Sequence, residues 1–235
     1  MTSIDASQVA LVTGGSSGLG LALARALDDA GWIVVTDARR ADLLAGALRD
    51  TTIHALPGDV TDAKHRAELV SLVTTLGGLD LLVLNASTLG PLPMRPLSRY
   101  ESTEIDEVMF TNSGAQVSLM IALGDQLLHR GGVVISVSSD AAVHHYEGWG
   151  AYGASKAALD HLVLTFGAET GLATYAVDPG DMRTPMQQDA FPGEDISDRP
   201  LAETAVPRLL GLLERRPPRG RYVAAELPVS EGASA

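Results

Sequence analysis

Cysteine is absent from this 235-residue sequence, and that absence removes several kinds of site at once. Without cysteine there is no disulfide framework, no redox-active thiol and no thiolate metal site. Apolar runs are also short, and none approaches the ~18 residues that a membrane-spanning helix needs. The first residues, MTSIDASQ, lack the basic and apolar regions of a secretory signal. These absences favour a cytoplasmic protein.

Positive charge is scarce as well. The chain has 17 Lys and Arg residues against 29 Asp and Glu residues, a formal net charge of −12 at pH 7. Nucleic acids and anionic membranes repel such a chain at long range, so we expect neither as a partner. The pair His144 and His145 does not make a metal site without further ligands. We therefore expect a small-molecule substrate and no metal.

The composition that remains suits one folded domain. Apolar residues make up 46% and charged residues 20% of the chain, close to the averages of globular proteins. A chain of this length builds one sizeable core more readily than two. We predict a single domain over residues 1–235, with residues 228–235 as a flexible tail.

Short apolar runs alternate with helix-length amphipathic stretches along the chain. Most runs are apolar on both faces, which is typical of a parallel sheet that helices cover on both sides. With right-handed crossovers, the pattern predicts an α/β fold with a doubly wound parallel sheet. The predicted strands are residues 9–13, 32–36, 52–56, 79–85, 132–138, 173–177 and 221–225. The predicted helices are residues 18–30, 40–49, 62–76, 102–129, 151–169 and 202–214.

Two segments between these elements are long and irregular, residues 86–101 and residues 181–200, and both contain several prolines. Long loops in a compact domain tend to be functional. We predict that these two segments form lids or binding loops.

A glycine-rich turn follows the first predicted strand. The sequence TGGSSGLG places Gly14, Gly18 and Gly20 between that strand and a predicted helix. Glycines permit a tight turn and let backbone N–H groups approach a pyrophosphate, which the positive end of the helix also attracts. Because a strand precedes the turn and a helix follows it, the turn predicts a dinucleotide site rather than a plain flexible loop.

One of the two lysines of the chain stands four residues after a tyrosine, at the start of a predicted helix. Tyr152 and Lys156 therefore share one helix face and can serve one site. At ~4 Å and an effective dielectric constant of ~20, an ammonium attracts a phenolate by roughly 4 kcal/mol. We expect Lys156 to lower the pKa of Tyr152 toward neutrality. The alternative is a solvated lysine beside a structural tyrosine.

The glycine spacing and the Tyr-x-x-x-Lys pair resemble those of the short-chain dehydrogenase/reductase family. The T-G-x-x-x-G-x-G motif of that family is matched by Thr13, Gly14, Gly18 and Gly20. The resemblance extends over nearly the whole chain and implies a Rossmann-type fold. The loop at residues 87–97 is similar to the sepiapterin-reductase-like branch, but a fold does not fix a substrate.

The resemblance also implies a catalytic tetrad. Besides Tyr152 and Lys156, it implies a serine at the end of the fifth strand and an asparagine in the fourth helix. Ser139 and Asn112 occupy those places, with Ser138 as a rival for the serine.

Further residues are implied to bind the cofactor. The glycine turn adds Ser16, Ser17 and Leu19, and the family's adenine-side pair is matched by Asp59 and Val60. The N-N-A-G and P-G-x-x-x-T motifs are matched by Asn85, Ala86, Pro179, Gly180, Met182 and Thr184. Leu84 and Ser87 replace the outer Asn and Gly of the N-N-A-G motif, and the glycine-rich ending of the family is absent.

The end of the second strand bears on the choice between NADP and NAD. An acid there binds the ribose 2′-hydroxyl of NAD, whereas an arginine accommodates the 2′-phosphate of NADP. Ala38 fills the family's acidic position, and Asp37, one residue early, should face the other way. Arg39 falls on the basic position of NADP-type members, although Ser17 stands where many of them carry a basic residue. We favour NADP and keep NAD open.

The resemblance implies hydride transfer between a nicotinamide cofactor and a carbonyl or alcohol. Ser139 would bind the substrate oxygen, Tyr152 would act as general acid/base, Lys156 would also hold the ribose, and Asn112 would position a water. Two alternatives stay open: a nicotinamide-binding regulator without turnover, and an epimerase or dehydratase that uses the same Tyr/Lys pair.

We also expect a homodimer or homotetramer. Family members pair through the fourth and fifth helices, here residues 102–129 and 151–169. In the second of these, apolar residues surround more of the helix than one core-facing stripe requires, which favours a two-fold partner. These residues are Leu159, Leu162, Val163 and Phe166.

Overall fold

Seven short strands pair in parallel into one sheet in the computed structural model, which describes residues 8–230. The strands are β1 (Val9–Val12), β2 (Ile33–Ala38), β3 (His54–Pro57), β4 (Leu81–Leu84), β5 (Val133–Val137), β6 (Ala173–Asp178) and β7 (Gly220–Val223). Their order across the sheet is β3-β2-β1-β4-β5-β6-β7. The chain reverses its direction of winding between β1 and β4, where open parallel sheets bind ligands.

Nine α-helices connect the strands within the described residues. They are α1 (Gly18–Asp29), α2 (Ala41–Ala47), α3 (Ala63–Thr75), α4 (Ser102–Met109), α5 (Ala115–Ala122), α6 (Gly124–Arg130), α7 (Gly150–Thr170), α8 (Pro185–Ala190) and α9 (Val206–Arg215). Local chemistry sets several of their ends. Asp62 caps α3 by accepting a 2.9 Å hydrogen bond from Lys64 N, and α7 ends at Gly171, whose φ of 80° suits glycine.

Alternate side chains of the central strands enter two separate cores, one on each face of the sheet. On β1, Ala10 and Val12 pack with α1 and α9, while Val9 and Leu11 pack with α3, α5, α6 and α7. Successive strand residues point to opposite faces of the sheet, so strands that are apolar throughout require helices on both faces. The predicted doubly wound α/β fold is confirmed. No helix in residues 8–230 has the length and apolarity to cross a membrane.

The predicted helix over residues 102–129 is wrong as a continuous α-helix. The structure divides it into α4, a π-helical segment at Phe110–Gly114, α5 and α6. A π-helical segment inserts an extra residue into a helix and often marks a functional site. Here it carries Asn112, whose buried side chain bonds to neighbouring segments.

Within the predicted flexible tail, Ser230 is buried and its N–H donates a 2.8 Å hydrogen bond to the Pro207 carbonyl of α9. Gly211 of α9 permits this packing, since a Cβ there would lie 2.4 Å from the Pro228 carbonyl oxygen. Residues 1–7 of the predicted domain and residues 231–235 of the predicted tail lie outside the described residues.

Candidate active site

A cleft of about 1300 Å³ opens at the carboxyl ends of the strands, on both sides of the reversal between β1 and β4. It brings together most of the residues that the sequence singles out. They are Gly14, Ser16, Ser17, Gly18, Leu19, Arg39, Asp59, Val60, Asn85, Ala86, Ser139, Tyr152, Lys156, Pro179, Gly180, Met182 and Thr184. The long loops also line the cleft, residues 86–101 through Leu89 and residues 181–200 through Met186 and Ala190.

The glycine turn has the backbone shape that its sequence predicts. Gly14 and Gly18 have φ values of 76° and 56°, in the left-handed region that favours glycine. A Cβ at Gly18 would lie 3.2 Å from the Thr184 side chain, so the turn also closes against the segment after β6. The turn leads directly into the N-terminus of α1, which is the geometry that attracts a phosphate group.

Three predicted site residues do not line the cleft. They are Thr13, Gly20 and Asn112. Gly20 instead lets α1 approach the turn, because a Cβ there would lie 2.4 Å from the Gly14 carbonyl oxygen and 2.5 Å from the Asn85 amide nitrogen. Such distances exclude every larger residue without backbone movement.

Thr13 joins the segments that follow β1 and β4. Its hydroxyl is fully buried and accepts hydrogen bonds from the N–H groups of Asn85, at 2.9 Å, and Ala86, at 3.0 Å. The Asn85 amide returns a 2.8 Å bond to the Thr13 carbonyl, and Gln116 of α5 bonds to the Ala86 carbonyl at 2.9 Å. The loop is therefore firmly held although Leu84 and Ser87 depart from the family motif.

Asp37 has a structural task in the same region. Its carboxylate accepts a 2.8 Å hydrogen bond from Gly14 N and lies 3.0 Å from the Nε2 atom of His65, and both side chains are buried. His65 packs closely against Gly58, where a Cβ would lie 2.1 Å from the imidazole. Sequence reasoning missed His65, and the signal was Asp37, an acid in a largely apolar strand.

Two arginines line the end of the cleft beside β2. Arg39 and Arg40 both face it, together with Asp59. Burial would raise the pKa of Asp59, but hydrogen bonds from Thr61 outweigh it and, with the nearby charge of Arg39, hold that pKa below its ordinary value. This end of the cleft therefore combines a fixed carboxylate with two guanidinium groups.

Lys156 lies at the opposite end, on α7. Its ammonium is buried and donates a 2.9 Å hydrogen bond to the carbonyl of Val137, the last residue of β5. Burial lowers the pKa of Lys156 to about 8, while the negative charge of Asp160, one helical turn further on, opposes that shift. The same ammonium lies 5.6 Å from the centre of the Tyr152 ring.

The expected lowering of the Tyr152 pKa is wrong in direction for this structure. Tyr152 is 8% exposed, and burial raises its pKa above the ordinary value. A hydrogen bond with Ser139 acts the other way, whereas the charges of Asp140, Asp178 and Asp160 raise the pKa further. The phenol is therefore protonated throughout the neutral range.

The two candidate serines differ in their surroundings. Ser138 is buried, and its hydroxyl donates a 2.5 Å hydrogen bond to the Asp160 carboxylate. Ser139 is partly exposed, accepts a 3.1 Å bond from Ala141 N and neighbours the Tyr152 phenol. Of the two serines, Ser139 is the one beside the Tyr152 phenol.

Arg221 of β7 ties this serine to two acids, a connection that sequence reasoning missed. Its guanidinium donates a 2.9 Å hydrogen bond to the Ser139 carbonyl and a 3.1 Å bond to Asp178, and it lies 3.5 Å from Asp160. Burial raises the pKa of Asp160, and the Ser138 hydrogen bond, Arg221 and Lys156 oppose this. We call Lys156, Asp160, Asp178 and Arg221 the charged cluster.

Asn112 supports the cleft from behind. Its amide nitrogen donates to the Thr88 carbonyl at 2.8 Å and to the Ser155 hydroxyl at 2.9 Å, and its oxygen accepts a 2.7 Å bond from Thr88 N. The side chain therefore joins the loop after β4 to α7. These bonds use both N–H groups of the amide and one lone pair of its oxygen. That Asn112 positions a water stays a prediction.

These residues fit a dinucleotide. The glycine turn is a cradle that a side chain at Gly18 would obstruct, and the two arginines and the buried lysine can meet phosphate and ribose oxygens at opposite ends. Within residues 8–230, no group of three or more His, Asp or Glu side chains could hold a metal ion.

The comparisons with known proteins agree with this geometry. The model of the short chain dehydrogenase family matches residues 8–195. L-xylulose reductase of Bos taurus is 31% identical over 230 residues, covering 94% of this chain and 85% of its own. The (S)-benzoin-forming benzil reductase of Saccharomyces cerevisiae is 32% identical over 196 residues, covering 77% and 74%. A solved short-chain dehydrogenase from Shigella flexneri, complexed with NADP, superposes with a TM-score of 0.84 at 26% identity, covering 93% of this chain and 97% of its own. The chain belongs to the short-chain dehydrogenase family of oxidoreductases.

Proposed function

We propose that the protein is a cytoplasmic, nicotinamide-dependent carbonyl reductase in which Tyr152 is the general acid. The observation that carries this proposal is the meeting of Tyr152, Ser139 and Lys156 in one cleft with the glycine turn. Burial of the Lys156 ammonium costs free energy. A regulator without turnover has no function for a buried ammonium beside a buried phenol, so this arrangement supports an enzyme over a binding protein.

The chemistry divides between the bound group and the chain. A nicotinamide supplies the hydride that reaches the carbonyl carbon. As charge develops on the carbonyl oxygen, the Ser139 hydroxyl stabilises it and the Tyr152 phenol delivers the proton that completes the alcohol. Because the pKa of Tyr152 is raised, the phenol is protonated at neutral pH before the reduction begins. Lys156 binds the ribose and lies beside the Tyr152 ring. Arg221 holds the Ser139 backbone through a hydrogen bond to its carbonyl.

We propose NADP rather than NAD as the cofactor. Arg39 and Arg40 present two cations at the end where a 2′-phosphate would lie. Asp37 also lines this end of the cleft, although the sequence predicts that it faces the other way. Its carboxylate accepts a bond from Gly14 N and lies 3.0 Å from His65, which supports the view that it does not bind a ribose hydroxyl. The NADP complex of the similar Shigella flexneri protein is consistent with this choice.

A homodimer through α5 and α7 is also proposed, with a tetramer as a further possibility. Leu159 and Val163 belong to the core, and Phe166 packs against it, so they do not mark an interface. The support comes instead from Ile121 on α5, 63% exposed, and Leu162 on α7, 43% exposed. The two helices contact each other, and together they present apolar side chains to solvent.

The role of Tyr152 is tested by Tyr152→Phe. Loss of the donor should lower kcat by at least ~100-fold, while the Kd of NADPH stays within about twofold because the ring remains in place. Tyr222→Phe is the matched control, since its hydroxyl bonds to the Pro218 carbonyl away from the phenol of Tyr152. Retention of a tenth of the wild-type kcat would remove Tyr152 from the role of acid.

The pH dependence tests the charged cluster. Lys156, with a pKa of about 8, is protonated below that pH and loses its charge above it, so kcat/KM should fall as pH rises through about 8. Asp160 opposes the effect of burial, and Asp160→Asn should therefore move the alkaline limb to lower pH. Asp29→Asn, a change of an exposed acid on α1, should leave the limb where it is. A limb that moves to higher pH in Asp160→Asn would contradict this account.

Cofactor choice is tested by Arg39→Ala. The Kd of NADP should rise about 10- to 100-fold through loss of a charge-assisted hydrogen bond, and the Kd of NAD should change little. Arg49→Ala, at an exposed position after α2, is the control. Tighter binding of NAD than of NADP by the wild type, measured by titration calorimetry, would reverse the assignment.

The interface is tested by Ile121→Glu. A buried charge at a two-fold contact should shift the sedimentation coefficient from dimer to monomer at micromolar protein concentration. Leu201→Glu places the same charge at a residue that is 50% exposed and lies on neither helix. A monomeric wild type, or a dimer that Ile121→Glu leaves intact, would refute the interface.

A further inference from the structure

The part of the cleft beside Tyr152 has apolar side chains that, apart from Tyr152 itself, the proposed chemistry does not use. Buried Leu89, Ala141 and Tyr152 form a small cluster that is separate from the two cores of the sheet. Four partly buried side chains pack against it: Met94, Trp149, Met186 and Ala190. We call these seven residues the apolar wall; all of them except Met94 and Ala141 line the cleft.

Trp149 is the largest member of the apolar wall and is held by other aromatic rings. It precedes α7 and lines the cleft. Its ring meets the Tyr152 ring edge to face, with centroids 5.5 Å apart and an angle of 76°. On its other side, the Phe191 ring lies 6.1 Å away. The indole therefore has a fixed orientation next to the proton donor, where it can pack against a ring on the substrate.

The opposite side of the wall comes from α8. Met186 and Ala190 are four residues apart and so share one helix face. Thr184, which lines the cofactor part of the cleft, caps α8 through a 3.2 Å hydrogen bond from Gln187 N. The methionine side chain is flexible and packs against groups of different shape. This part of the wall can therefore contact flat rings with different substituents.

The charges near the wall are unfavourable to an anion. Three cationic side chains line the described cleft: Arg39 and Arg40 at the β2 end, and Lys156 beside Tyr152. The Tyr152 end is also lined by Asp140, Asp178, Asp181 and Asp189. Arg221 offsets the charge of Asp178, but Asp140 accepts its bonds from the uncharged hydroxyls of Ser139 and Tyr146. A substrate carboxylate next to the reacting carbonyl would therefore meet the uncompensated charge of Asp140.

We propose that the natural substrate is a neutral ketone with an aryl or similar flat ring beside the carbonyl, and that the apolar wall binds this ring. Asp140 excludes the analogue with a carboxylate at the neighbouring position. This inference rests on the proposed reductase function and adds the class of its substrate.

Three related compounds separate the two features. Methyl benzoylformate has the ring and no charge, benzoylformate has the ring and a carboxylate, and methyl pyruvate has neither. With NADPH, kcat/KM for methyl benzoylformate should exceed that of each of the other two by about 10-fold or more. Trp149→Ala should reduce the ratio of methyl benzoylformate to methyl pyruvate severalfold, and Trp149→Phe should preserve most of it. Asp140→Asn should lower the ratio of kcat/KM for methyl benzoylformate to kcat/KM for benzoylformate.

A binding measurement supplies a readout independent of turnover. In Trp32→Phe, Trp149 is the one tryptophan of the chain, because the sequence contains two. Methyl benzoylformate should quench its fluorescence saturably, at lower concentration than methyl pyruvate. Equal efficiencies for the three compounds, or a preference for benzoylformate, would overturn the inference and leave the reductase function intact. Saturable quenching without turnover of any compound by NADPH or NADH would support the wall as a ring-binding site and overturn the reductase function.

Discussion

The burial of the Lys156 ammonium is the constraint on which the Tyr152 end of the cleft depends. A cation removed from water is costly unless other groups solvate it. Here the Val137 carbonyl accepts its hydrogen bond, and Asp160 supplies an opposite charge one helical turn away. Asp160 is in turn bonded by Ser138 and lies 3.5 Å from Arg221. The end of β5, the start of α7 and the middle of β7 are therefore held in one arrangement.

That arrangement also positions the neutral groups of the site. Arg221 binds the Ser139 carbonyl, which fixes the backbone from which the Ser139 hydroxyl reaches the phenol. On the far side of the sheet reversal, the buried Thr13 hydroxyl performs a similar task for the cofactor half by joining the ends of β1 and β4. Each half of the cleft is thus organised by one buried polar group with several partners, and the sheet keeps the two halves in register.

Sequence patterns predict the parts of this design that depend on local spacing. Strand periodicity gives the doubly wound sheet, glycine spacing gives the turn, and the i, i+4 relation puts Tyr152 and Lys156 on one helix face. The direction of the Tyr152 pKa shift is not predictable in this way, because it depends on burial and on carboxylates from three separate segments. Arg221 lies 82 residues from the serine that it holds. No spacing rule connects positions that only the folded sheet brings together.

The π-helical segment and the glycine contacts show the same limit. The composition of residues 110–114 does not predict a π-helix. In the folded chain this segment carries Asn112, which bonds to Thr88 and Ser155. Gly20 is predicted to bind the cofactor because it belongs to the motif. In the structure a side chain at this position would collide with the carbonyl oxygen of Gly14. A motif can thus record packing as well as ligand contact.

The central claim is that the cleft transfers hydride to a carbonyl. It is tested most directly by incubating the protein with a neutral aryl ketone and NADPH that carries deuterium at the transferable position. Mass spectrometry of the alcohol product then reports where its new hydrogen came from. The account predicts one deuterium on the carbinol carbon and a solvent-derived proton on the oxygen. Tight binding of NADPH without any deuterated alcohol, or a product that carries only solvent hydrogen at that carbon, would contradict it.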